Sequence, residues 1–165
     1  MIVKRANVDD NSVKNPDLVV WGETYATGVT EIDRQHKELV NLTNQLFQAC
    51  LSCGNEQVCI VFKEAMSRMV EYVRFHFNSE SSLLERINYP NHIEHKKLHE
   101  SLVKTILDAA KDYNQGKKYV PNKFARTLKD WVFGHIAVAD KVWSAYIQEQ
   151  RKKGLLNDKQ LTINA

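Results

Sequence analysis

An all-α fold, an up-down-up-down antiparallel four-helix bundle with an N-terminal extended arm, follows from three features of this 165-residue chain. Apolar residues recur at steps of three and four along four long segments. The connections between those segments are short and rich in Gly, Pro and Asn. None of the segments carries a proline beyond its first turn. The length suits one domain with a sizeable core, divided into an arm over 1–30, the bundle over 31–154 and a C-terminal tail over 155–165.

Residues 1–30 hold no helical period. Asn11, Asn15, Pro16 and Gly22 interrupt any run, while Val19, Val20, Trp21 and Tyr25 are apolar enough to pack on the bundle. Thr30-x-x-Asp33 is expected to cap the first helix, with an acid in its first turn. That helix should run from Glu31 to Cys53, with Ile32, Leu39 and Leu46 on one line and His36, Thr43 and Cys50 on its partner. Gly54-Asn55 should close it. The second is expected over Glu56–Asn88, where Phe62, Met69, His76 and Leu83 alternate with Met66, Val73, Glu80 and Ile87. The third, from Pro90 to Asn114, sets His95, Leu102 and Ala109 beside His99, Ile106 and Tyr113. The fourth, from Pro121 to Lys153, sets Leu128, His135 and Val142 beside Phe124, Trp131 and Val138, with Gly154 as its C-cap.

Composition narrows the function classes. A hydrophobic content of 43% and a charged content of 26% are ordinary. A net charge of +3 from scattered basic residues argues for neither nucleic acid nor membrane. The Arg151-Lys152-Lys153 run reads as a solvated helix end. No apolar leader is present, so the expected location is cytoplasmic. Cys50, Cys53 and Cys59 do not continue into a zinc-finger pattern, and Cys50 and Cys53 are expected to extend the apolar seam of the first helix.

The histidines break that seam. His76 with Glu80, and His95 with His99, are each spaced i, i+4, so each pair projects from one helix face. Asn88-Tyr89-Pro90-Asn91 separates the two helices that carry them. His36 and His135 occupy seam positions too. Burying these groups without partners would cost about 1–3 kcal/mol each, which a marginally stable domain could hardly absorb. Bound metal removes the cost. Depth agrees, because alternating helix directions would bring all six residues to one end of the bundle. Asp140 follows His135 by five residues, so a regular helix sets it well round from His135. It becomes a ligand only in a broad site with two metals. His92, in the first turn of its helix, reads as a surface residue or an outer partner of a ligand.

With these residues the chain resembles the hemerythrin family, from about Trp21 to beyond Asp140. The stretches that carry the likeness are Trp21-x3-Tyr25-x2-Gly28-x3-Ile32-Asp33-x2-His36, His76-Phe77-x2-Glu80, Tyr89-Pro90, His95-x3-His99 and Trp131-x3-His135-x4-Asp140. One departure is Ser81, where many relatives carry a second acid that is not a ligand. The resemblance implies two non-haem iron ions with an oxo or hydroxo bridge. His95, His99 and His135 would hold one iron and His36 and His76 the other, with Glu80 and Asp140 bridging. One position would stay open, on the iron held by His36 and His76, with dioxygen as its ligand. Leu39, Phe77, Trp131 and Ile136 are expected to line that position and exclude water.

No general acid or base is apparent there, which favours reversible oxygen binding, for storage, transport or delivery, over an enzyme. Four other readings compete with it. They are an oxygen or redox sensing module, a peroxide or nitric oxide scavenger, an iron reservoir, and a bundle with ordinary histidines.

Overall fold

The computed structural model describes residues 16–163, so Asn11 and Asn15 lie outside the described residues. It is a helical bundle with no strand among them. Helix α1 spans Thr30–Ser52, α2 spans Asn55–Arg86 and α3 spans His92–Asn114. The fourth long segment comprises α4 (Val120–Gly134), a π-helical turn (His135–Ala139) and α5 (Asp140–Lys152). A short α6, Asp158–Leu161, follows, with Asn157 and Gln160 forming a capping box.

Helix ends are set by local backbone chemistry. Asn88, Gly116 and Gly154 each follow a helix with φ of 52°, 71° and 70°, and the next residue's N–H reaches back to Leu84, Asp112 and Gln150 respectively. These are Schellman closures. Gly54 behaves otherwise: its φ of −68° and ψ of 163° make it the extended N-cap of α2 rather than the close of α1. The expected Thr30 cap is also replaced. Val29 is the N-cap, and the Asp33 carboxylate accepts from the backbone N–H groups of Thr27 and Gly28 and from the Thr27 hydroxyl. Pro90 precedes α3 rather than opening it.

The segment before α1 is tied down by polar and apolar contacts. Asn44 Oδ1 accepts from Val19 N–H at 2.9 Å, and its Nδ2 donates to Val19 C=O at 2.8 Å. Lys141 Nζ reaches the Glu23 and Ala26 carbonyls, and Ser144 Oγ donates to Thr27 C=O.

Two apolar clusters fill the interior. One holds Leu39, Leu46, Phe62, Met69, Tyr72, Leu102, Phe124, Leu128 and Ile136. The other holds Val29, Ile32, Leu83, Ile87, Tyr89, Trp143, Ile147 and Leu161. Helix α1 passes from Ile32 to Leu39 with His36 between, and α2 from Met69 to Leu83 with His76 and Glu80 between. From Tyr89 the chain passes His95 and His99 before Leu102, and from Leu128 it passes His135 and Asp140 before Trp143. A polar layer therefore separates the two clusters.

Three expected seam positions lie elsewhere. Val138 and Val142 are 53% and 56% exposed, because the π turn advances the inward face by one residue to Asp140, Trp143 and Ile147. Cys53 ends α1 and is exposed, while Cys50 remains half-buried at the seam, where burial pushes its thiol up.

Candidate metal centre

The helical spacing that selected each residue also positions it. His76 and Glu80 stand one turn apart on α2, and His95 and His99 one turn apart on α3. His36 comes from α1 and His135 from the start of the π turn. One extra residue in that turn lets Asp140, which opens α5, share the inward face with His135; in a regular helix an i, i+5 pair diverges. All seven side chains are buried, with Glu80 and Asp140 at 0% exposure.

Their tips converge. Glu80 Oε1 lies 3.4 Å from His95 Nε2, while its Oε2 lies 3.4 Å from His76 Nε2 and 2.9 Å from His99 Nε2. Asp140 Oδ1 lies 3.2 Å from His95 Nε2 and 3.3 Å from His135 Nε2, and its Oδ2 lies 3.3 Å from His36 Nε2. The Nε2 atoms of His99 and His135 are 2.9 Å apart. Glu80, His95, His99 and His135 can each offer one donor atom with all four within 4.8 Å of one another. His92 stands apart, partly buried with its Nδ1 3.0 Å from the Tyr89 carbonyl oxygen.

Aromatic neighbours wall the layer. Phe77 lies flat on His99 at 3.8 Å between ring centroids, and Trp131 stacks on His135 at 4.2 Å. Leu39 and Ile136 are fully buried in the adjoining cluster.

Sequence reasoning missed two residues. Gln35 is buried beside His36, and its Oε1 lies 2.9 Å from His76 Nδ1 while its Nε2 donates to Glu31 Oε1 at 3.0 Å. The amide orientation leaves His76 Nδ1 as the donor, so Nε2 keeps its lone pair for the centre. Trp143 Nε1–H donates to Asp140 Oδ1 at 3.3 Å. No spacing rule selects either one, since each holds a ligand from outside the converging set.

The Hemerythrin HHE cation binding domain family matches residues 27–147. The chain belongs to the hemerythrin family. Among the family's proteins it is 31% identical to a bacteriohemerythrin of Pseudomonas aeruginosa, over 72% of this chain and 74% of that one. It is 27% identical to a bacteriohemerythrin of Stenotrophomonas maltophilia, over 79% and 82%. A crystal structure of wild-type hemerythrin matches with a TM-score of 0.66 and 26% identity, covering 78% of this chain and 96% of that one.

The hemerythrin residues present here suit a metal on their own chemistry. His36 Nδ1 and Nε2, His76 Nε2, both Glu80 oxygens, His95 Nε2, His99 Nδ1 and Asp140 Oδ2 are buried without a hydrogen-bond partner. Native interiors rarely leave such groups unpaired, and imidazole with carboxylate is a donor set that suits iron. The electrostatics agree. Burial lowers the His36 imidazole to about 4 and holds His76 and His135 well below the usual range, so these rings present lone pairs at neutral pH. His95 is the exception. Burial opposes its charge, but the Asp140 and Glu80 carboxylates outweigh burial and raise it to about 9. Asp140 is pushed well up by burial and by Glu80. Metal binding must therefore displace the proton that His95 holds against these carboxylates.

Proposed function

We propose that this chain binds dioxygen reversibly at a non-haem di-iron centre, for oxygen storage, transport or delivery. The observation that carries the reading is the way each carboxylate faces two groups of histidines. Asp140 turns Oδ2 to His36 and Oδ1 to His95 and His135, while Glu80 turns Oε1 to His95 and Oε2 to His76 and His99. Asp140 thus divides His36 from His95 and His135, while Glu80 Oε2 is shared by His76 and His99. Together with the hemerythrin pattern this supports Glu80 and Asp140 as the residues that would hold both irons, with His36 and His76 on one and His95, His99 and His135 on the other. Iron held by these residues would supply the redox chemistry that reversible oxygen uptake needs.

The protein's own residues do the rest. Gln35 fixes the His76 tautomer, Trp143 steadies Asp140, and Phe77 and Trp131 hold two imidazoles flat. Leu39 and Ile136, with those aromatics, exclude water and so favour release of the gas unchanged. The alternating order in which the long helices pass the two apolar clusters supports an up-down-up-down antiparallel bundle over 31–154, with described residues before Thr30 tied to it through Asn44 and Ser144. No helix among the described residues is long and apolar enough to cross a membrane.

Iron analysis and an optical oxygen titration of the anaerobically reduced protein test the proposal together. Two irons per chain and a spectrum that reverts on degassing are expected. Iron-loaded protein with no reversible spectral change would overturn the oxygen reading, and steady consumption of peroxide would make the centre a scavenger.

A further inference from the structure

Tyr72 stands one turn before His76 on α2 and is 5% exposed. Its ring lies within 18° of parallel to the His76 ring, with centroids 4.9 Å apart, and Phe77 meets it edge-on at 6.5 Å. The phenol oxygen is buried and has no hydrogen-bond partner. Buried tyrosine hydroxyls ordinarily find one, because an unpaired one costs stability. Among the described residues, every other buried side-chain nitrogen or oxygen without a partner belongs to His36, His76, Glu80, His95, His99 or Asp140. Tyr72 is the single exception that is not a candidate ligand.

Tyr72 belongs to the apolar cluster that also holds Leu39, Met69, Leu102 and Ile136. A phenol, with an ordinary pKa of about 10, keeps its proton at neutral pH, and the Tyr72 ring lies against the His76 ring, so its O–H is a donor beside a candidate ligand.

We propose that Tyr72 is a ligand-contacting residue whose phenol O–H donates a hydrogen bond to the small molecule held beside His36 and His76. The inference rests on the reading of the centre as one that takes up a small ligand. It adds a donor beside the apolar side chains of Leu39, Phe77 and Ile136: the hydrogen bond prolongs residence of any ligand with an acceptor atom, dioxygen or a small anion alike. Because the phenol is a weak acid, it orients the ligand and keeps its own proton.

The test compares the iron-loaded wild type with Tyr72→Phe, using azide and oxygen as probes and stopped-flow absorbance to follow their release. Tyr113→Phe, among the aromatic residues near Phe62 and Phe124, serves as control. Tyr72→Phe is expected to keep its iron and to melt no lower than wild type without ligand, since it removes an unpaired hydroxyl. It should release azide and oxygen about five- to tenfold faster, the loss of one hydrogen bond, while Tyr113→Phe releases them at the wild-type rate. Unchanged release from Tyr72→Phe overturns the proposal and leaves the reading of the centre standing. Loss of iron from Tyr72→Phe also overturns it, by making Tyr72 a support for His76. A wild type that holds no iron, or takes up neither probe, sinks the proposal and the reading together.

Discussion

A histidine ligates best when its far nitrogen is held, and for His76 that duty falls to a residue with no sequence signature. Glu31 is kept ionised by its hydrogen bonds with Arg34, which hold the carboxyl below its usual range. It accepts from the Gln35 amide, and this aims Gln35 Oε1 at His76 Nδ1. Gln35→Ala removes the last link, leaving His76 Nδ1 buried with no acceptor and its ring free to turn. Metal affinity should fall about 10–100-fold while the fold survives, read by competition with a chelator; an unchanged affinity would show that His76 needs no such support. The ligands themselves were legible because each is a polar residue on an otherwise apolar line. Gln35 and Tyr72 were not: Gln35 acts from outside that line, and Tyr72 looks like an ordinary aromatic of the seam.

The fourth long segment shows what periodicity can and cannot tell. Up to His135 a regular helix accounts for the buried residues, and Phe124, Leu128 and Trp131 fall where steps of three and four place them. Beyond it the pattern slips by one residue. Val138 and Val142, expected inside, face out, while Asp140, Trp143 and Ile147 face in. The i, i+5 spacing of His135 and Asp140 held the clue, since two inward-facing polar residues five apart require a wider turn. Deleting Ala137 should restore a regular helix and rotate Asp140 about 100° away from His135. Trp143, fully buried now, would rotate with it. The deletion variant should lose iron binding and melt well below wild type, measured by metal analysis and thermal circular dichroism. Retained iron at wild-type stoichiometry would mean the π turn is dispensable.

At the scale of the whole molecule, a buried polar layer between two apolar clusters ties folding to protonation. His36, His76 and His135 are held neutral by burial, with His36 lowered to about 4 from 6.5. As pH falls from 6.5 towards 4, these rings take up protons in the unfolded chain but not in the folded one, so stability falls with pH. Asp140 acts in the opposite sense, since its raised pKa keeps a proton on the folded chain that the unfolded chain lacks above 3.8. His95, raised to about 9, is protonated in both states below 6.5 and adds no slope there; its stabilisation is lost only as pH climbs through 9. With three rings acting in the first sense, unfolding takes up protons in the window from 6.5 to 4, and the metal-free protein loses stability as pH falls through it. Metal reshapes this curve, because it binds the deprotonated ligands of the folded chain and adds its own binding free energy to stability. Urea denaturation at pH 7, 6 and 5 should show the chelated protein weakening steeply while the iron-loaded protein stays well above it at each pH. A flat profile for the chelated form would mean that water or rearrangement already satisfies the layer, and that metal is not what the buried histidines are arranged to receive.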